Sequence, residues 1–222
     1  MWGWRLAYAV GVTPWERAGV AGKEQLMSLV AGAQPGAPPG RALDIGCGSG
    51  AHAVALAQQG WDVTGVDPVP RALLRARRRA AGAGVDVTWV HGLAEDLPAL
   101  VRPGVRLVLD IGCFHALGED ARDAWARGAD AVTSPGGSVV VLAFSPGGRR
   151  APGLPRGATA DDVARRLPGW SVTAREAATT DGMPKALRSA TPAFVVLHKQ
   201  PASPYGRQPS ASTPPGTSEP GS

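Results

Sequence analysis

The sequence predicts an α/β fold, a doubly wound and mostly parallel sheet of seven strands with helices on both faces. Three observations predict it. Short apolar, β-branched runs alternate with segments of helical spacing. The runs are apolar throughout rather than at every second residue, as strands covered from both sides are. A glycine-rich loop at 44–50 joins one such strand to the helix after it.

The elements follow in order. Thr13 and Pro14 open a first helix, Thr as cap and Pro in the first turn, and it runs to about residue 30. Residues 33–40, rich in Pro and Gly, are a linker. Strands are expected at 41–45, 61–66, 85–90, 105–110, 138–144, 170–176 and 193–198. Helices are expected at 51–59, 70–83, 119–132 and 159–167, the last capped by Thr159 with Asp161 and Asp162 in its first turn. Pro135-Gly136-Gly137 reads as a turn. Residues 200–222, rich in Pro, Ser, Gly and Thr, cannot bury enough apolar surface to offset ordering entropy and read as a disordered tail. The expected organisation is a helical cap and linker at 1–40, a ligand-binding catalytic domain at 41–199, and the tail.

Composition narrows the function. The 222 residues are 44% apolar, enough for one sizeable core, and no apolar run reaches the ~18 residues of a membrane span. The apolar start carries Arg5 but lacks the long centre and cleavage site of a signal peptide. Cys47 and Cys113 therefore suit a reduced, cytoplasmic setting, and neither they nor the scattered histidines have metal-ligand spacing. The net charge is +5, mostly from arginine; the lysine-poor, alanine-rich composition resembles high-GC bacterial codon usage. Arg71, Arg75, Arg78 and Arg79 share a helix face. No aromatic interleaves them to stack on bases, so they read as a solvated face, with no nucleic-acid or membrane partner expected.

Asp44-Ile45-Gly46-Cys47-Gly48-Ser49-Gly50 carries the chemistry. Its glycines allow a tight turn and close backbone approach to a ligand. The spacing departs from the dinucleotide pattern Gly-x-Gly-x-x-Gly, and Asp44 precedes it. A carboxylate there repels a pyrophosphate and suits a ligand with a cationic amino group. Asp67, at the end of the next strand, can accept hydrogen bonds from two ribose hydroxyls.

Leu43 to Gly50 followed by Val66-Asp67 resembles the first two motifs of class I S-adenosylmethionine-dependent methyltransferases. The resemblance covers residues 41–144 and implies a Rossmann-like sheet with an antiparallel last strand. It implies that Asp44 holds the methionine amino group, that Gly46, Cys47 and Gly48 line the methionine and ribose, and that Asp67 takes the ribose. Gly92 to Pro98 is similar to the family's adenine loop, but Leu93 stands where an acidic or amidic residue is usual. Either Leu93 packs on the purine with the Ala94 N–H meeting a ring nitrogen, or Glu95 or Asp96 takes the place of the usual acid, Glu95 being equally readable as a solvated loop residue.

Asp110-Ile111-Gly112-Cys113-Phe114-His115 resembles the fourth motif, beside the transferred methyl group, in wording similar to small thiopurine, thiol and halide methyltransferases. Asp110 is counted with the cofactor contacts. His115 is the histidine placed to act as a base; the alternative is a histidine that closes the loop. Nothing nearby activates Cys113, which reads as a small buried residue. Thr13-Pro14-Trp15-Glu16 resembles the same group's segment over the cofactor, with Trp15 either a lid over the sulfonium or a helix anchor. Arg149, Arg150 and Arg188 are candidates to meet an anionic substrate or to be solvated. The resemblance implies S-adenosylmethionine as cofactor and methyl transfer to a small molecule in bacterial, specialised metabolism. The alternative is a cyclisation or rearrangement on the same fold.

Overall fold

A computed structural model describes residues 22–145, 157–181 and 191–201. The predicted lid at 13–16, with Trp15, lies outside them, as do Arg149, Arg150, Arg188 and residues 202–222 of the tail.

The described elements are helix α1 (Lys23–Ala33), β1 (Arg41–Ile45), α2 (Ala51–Gln58), β2 (Asp62–Asp67), α3 (Pro70–Ala83), β3 (Thr88–His91) and a one-turn α4 (Leu97–Leu100). Then come β4 (Val105–Ile111), a 3-10 turn (Phe114–Ala116), α5 (Glu119–Val132), β5 (Thr133–Phe144), α6 (Ala160–Arg166), β6 (Trp170–Ala177) and β7 (Pro192–Lys199). The seven strands lie in the order β3-β2-β1-β4-β5-β7-β6. β1 pairs in parallel with β2 and β4, β2 with β3, and β4 with β5; only β7 runs against its neighbours β5 and β6. The expected doubly wound sheet with an antiparallel last strand is what forms.

The apolar strands bury both faces. Ala42, Leu107, Leu109, Val140 and Val196 pack with Leu26, Leu29 and Val30 of α1 and Ala53 and Leu56 of α2. Leu43, Ile45, Val108, Val139 and Val195 turn to the other face, against Trp125 and Ala126 of α5 and Val163 of α6. The alternation along each strand assigns residues to the two faces.

Local chemistry sets the element ends. Pro occupies the first turn of α3, and Gly84, at φ +66°, ends it in the left-handed conformation. The Val85 N–H then bonds back to the Ala80 carbonyl, so Val85 closes the helix instead of starting β3, which begins three residues later than expected. Thr159 caps α6 in a reciprocal box with Asp162, as its sequence signature predicts. The expected turn at Pro135-Gly136-Gly137 falls inside β5 as a bulge. Val105 and Leu107 pair with Thr133 and Ser138, and a Cβ on Gly137 would lie 2.5 Å from the Thr133 methyl. The first helix continues past the expected end at residue 30, to Ala33.

Candidate cofactor and active site

The site forms where parallel strands end. β1 pairs Ile45 with both Val66 and Asp110, so the C-terminal ends of β1, β2 and β4 lie level. The crevice beyond such ends, at the switch between β1 and β4, is where open α/β sheets take ligands.

The glycine loop is folded by its own backbone and by its neighbours. The Gly46 and Cys47 amides both donate to the Val66 carbonyl, at 2.8 and 3.1 Å. Gly46 has φ +68°, and a Cβ there would sit 2.7 Å from Cys113 Cβ. Only glycine fits both the conformation and the approach. Gly50, at φ +76°, leaves the same kind of room for the Trp89 ring. Arg79, expected as part of a solvated face, instead donates from Nε to the Ser49 carbonyl at 2.9 Å and from Nη2 to the Ser49 hydroxyl at 3.3 Å. It pins the loop from α3. No sequence pattern distinguishes it from Arg78.

Two carboxylates support this loop. Asp44 is 1% exposed and accepts the Ala53 amide at 3.1 Å, at the start of α2. Asp67 accepts the Gly48 amide at 2.9 Å with one oxygen and the Val69 amide at 2.8 Å with the other. The Gly46, Cys47 and Gly48 amides are thus committed within the protein, leaving carbonyls and Cα surface for a ligand.

Asp110 differs from its expected place among the cofactor contacts. It is fully buried, and its oxygens accept the Cys113 amide at 2.8 Å and the Phe114 amide at 3.0 Å. Its side chain faces the α5 side of the sheet, so it fixes the His115 turn from beneath instead of presenting oxygens to a ligand.

Four acids at or beyond the ends of β1 to β4 act electrostatically on Cys113. Burial and then Asp110, Asp67, Glu95 and Asp44 push the Cys113 thiol well above its usual range. Cys113 is half-buried among them and, like Cys47, stays a protonated thiol rather than an activated nucleophile. Burial and then the charge of Asp110 raise Asp44 to about 7 against the pull of the Ala53 amide. Burial raises Asp110 to about 7 as well, against the amides of Phe114 and Cys113. Ionising Asp44 and Asp110 together is therefore costly. A ligand with positive groups relieves that cost, whereas a pyrophosphate aggravates it.

In the third loop, the Leu93 carbonyl accepts the Asp96 amide at 3.1 Å, turning the chain. Leu93 stays half-exposed while Ala94 is 7% exposed and joins the core.

His115 lies over the ends of β4 and β5. Its ring is 4.8 Å from that of Phe144 at 65°, and a Cβ on Gly112 would lie 3.4 Å from its Cε1. The ring lies against the Leu142 backbone, and its Nδ1 is buried without a partner among the described residues. Burial foremost, with Arg122 nearby, lowers its pKa to about 4. The near-neutral titration expected from the free side chain gives way to a ring that is neutral across the physiological range.

The fold and the acidic glycine-loop site are similar to those of class I S-adenosylmethionine-dependent methyltransferases. Residues 42–137 match the methyltransferase domain family. The chain is 40% identical over 82 residues to the ubiquinone biosynthesis O-methyltransferase of Azorhizobium caulinodans, a match covering 33% of this chain and 32% of the relative. It is 29% identical over 144 residues to probable thiol methyltransferase 2 of Arabidopsis thaliana, covering 64% of this chain and 61% of that protein. The chain thus spans about a third of the first relative and three fifths of the second. A solved structure described as "Conversion of a Disulfide Bond into a Thioacetal Group during Echinomycin Biosynthesis" aligns with TM-score 0.66 at 24% identity, over 87% of this chain and 91% of that one.

Proposed function

We propose that this protein transfers a methyl group from S-adenosylmethionine to a small-molecule acceptor, with His115 taking part on the acceptor side. The observation that carries the reading is the placement of Asp44 and Asp67 at the ends of adjacent parallel strands, each held by backbone amides beside the glycine loop, with Asp110 at the end of the next strand. That donor set suits a ligand bearing an ammonium, two ribose hydroxyls and a sulfonium. Asp44 holds the ammonium, Asp67 the hydroxyls, and Leu93 with Ala94 borders the adenine. When bound, the cofactor supplies an activated methyl group.

The protein's part is then alignment, exclusion of water and the handling of one proton. His115 Nδ1, without a partner among the described residues, is the ring nitrogen assigned to an acceptor's hydrogen. A ring with a pKa of about 4 is a weak base. It serves best for an acceptor that loses its proton readily or whose nucleophile needs orienting. The relatives named for a thiol and for ubiquinone biosynthesis support a small-molecule acceptor with sulfur or oxygen as the accepting atom. The small domain and the absence, among described residues, of a helix long and apolar enough to cross a membrane suit a cytoplasmic enzyme.

The test is incubation with S-adenosylmethionine and a panel of thiols, halides and phenols, read by mass spectrometry. The expected result is an acceptor heavier by one methyl group, with S-adenosylhomocysteine formed in equal amount. A product rearranged without gain of mass overturns the reading.

A further inference from the structure

Arg122 lies in α5 and is 4% exposed, whereas Arg127, one and a half turns on, faces solvent. A cation this deep needs partners for its N–H groups. Its Nε donates to the Phe114 carbonyl at 3.2 Å. Its Nη2 donates to the His115 carbonyl at 3.2 Å and to the Gly157 carbonyl at 2.5 Å. Nη1 meets the Glu119 carboxylate at 3.2 Å, and the guanidinium lies 5.1 Å from the centre of the Phe114 ring.

The carbonyls belong to two separate connections. Phe114 and His115 follow β4. Gly157 precedes α6, and the next residue, Ala158, donates its amide to the Phe144 carbonyl at the end of β5, at 2.8 Å. Both connections border the strand ends where the acceptor side lies. An apolar residue of similar volume could fill this space without the cost of burying a charge. A lysine carries the charge but not the planar fork that reaches three carbonyls at once.

We propose that Arg122 is the positioning residue of the acceptor side, its guanidinium locking the His115 turn to the Gly157 segment so that the two hold one geometry. Its importance for turnover rests on the functional reading above; the bridge itself does not.

Amide exchange tests it, with Arg122→Met and Arg122→Lys and with S-adenosylhomocysteine as the binding probe. Arg122→Met is expected to speed exchange in both the 113–117 and 157–159 segments by ~10-fold or more, as loss of a charge-assisted bond implies. S-adenosylhomocysteine affinity stays near the wild-type value, since Arg122 touches neither Asp44 nor Asp67. By NMR, the His115 ring titrates higher in Arg122→Met, where the cation is gone. In Arg122→Lys the titration stays low while exchange is intermediate. Activity on an identified acceptor falls in the same order. Wild-type exchange at residues 157–159 in both folded variants overturns the proposal. So does exchange that rises evenly across the domain with a parallel loss of S-adenosylhomocysteine affinity, since that marks a core prop. Should no methyl transfer be found, the exchange and titration results still decide the bridge.

Discussion

His115 draws its chemistry from residues that never reach the ligand. Asp110 holds the turn's amides, Arg122 holds its carbonyls, and the ring lies against the Leu142 backbone. Its Nδ1 is buried without a partner among the described residues. His115→Ala is expected to lower turnover by ~10²-fold or more, the usual size of a lost acid–base group, with S-adenosylhomocysteine affinity unchanged. Calorimetry and initial rates check this. Unchanged turnover removes His115 from the mechanism. Because the ring has a pKa of about 4, the rate in the wild type owes no inflection near pH 6.5 to this residue.

At the scale of elements, the loop from β1 to α2 is held at three points: by the Val66 carbonyl, by Asp67 and by Arg79. The Gly46 position makes that loop a packing partner of the Cys113 turn, so the cofactor loop and the acceptor turn touch at a place with no room for a methyl group. Gly46→Ala is expected to cost about 2–4 kcal/mol, from left-handed strain plus overpacking. Urea denaturation measures it. A cost under ~0.5 kcal/mol would mean that the two loops yield independently. Thr159 and Asp162 fix the start of α6 in the same economical way, through a local box whose partners lie three residues apart.

Over the whole molecule, charge is segregated. The chain is basic, yet its binding crevice gathers carboxylates. Asp44 and Asp110 have folded-state values raised from 3.8 to about 7. Their contribution to stability is full below the unfolded value and is lost as pH rises to about 7. His115, lowered from 6.5 to about 4, acts oppositely: its contribution is present above 6.5 and lost as pH falls through about 4. Two acids against one imidazole give apo stability a net decline with rising pH up to about 7. A ligand ammonium favours ionised Asp44, so S-adenosylhomocysteine is expected to bind more tightly as pH rises through about 7. Denaturation midpoints with and without the ligand, at about pH 5 and about pH 8, measure both trends against this linkage. Asp44→Asn should flatten the ligand's pH dependence; a dependence that survives the substitution places the titrating group elsewhere.

The sequence by itself determined the sheet and its ligand class. Apolar runs, helix caps and the Pro70 and Gly84 punctuation are local signals, and a short loop with Asp44 before it and Asp67 after it is legible because its parts are close along the chain. What only the tertiary structure decided is which of many similar side chains are engaged. Arg79 and Arg122 look like other arginines until α3 and α5 pack, and then one holds Ser49 and the other reaches Gly157, 35 residues further along the chain, and joins it to the His115 turn. Asp110 reads as a ligand contact, but the side of the strand it faces turns it into the support of a turn. The His115 pKa likewise depends on burial, a property of the fold. Local hydrogen bonding and periodicity act within a few residues and can be read there. Desolvation and long-range partnership exist only after distant segments meet.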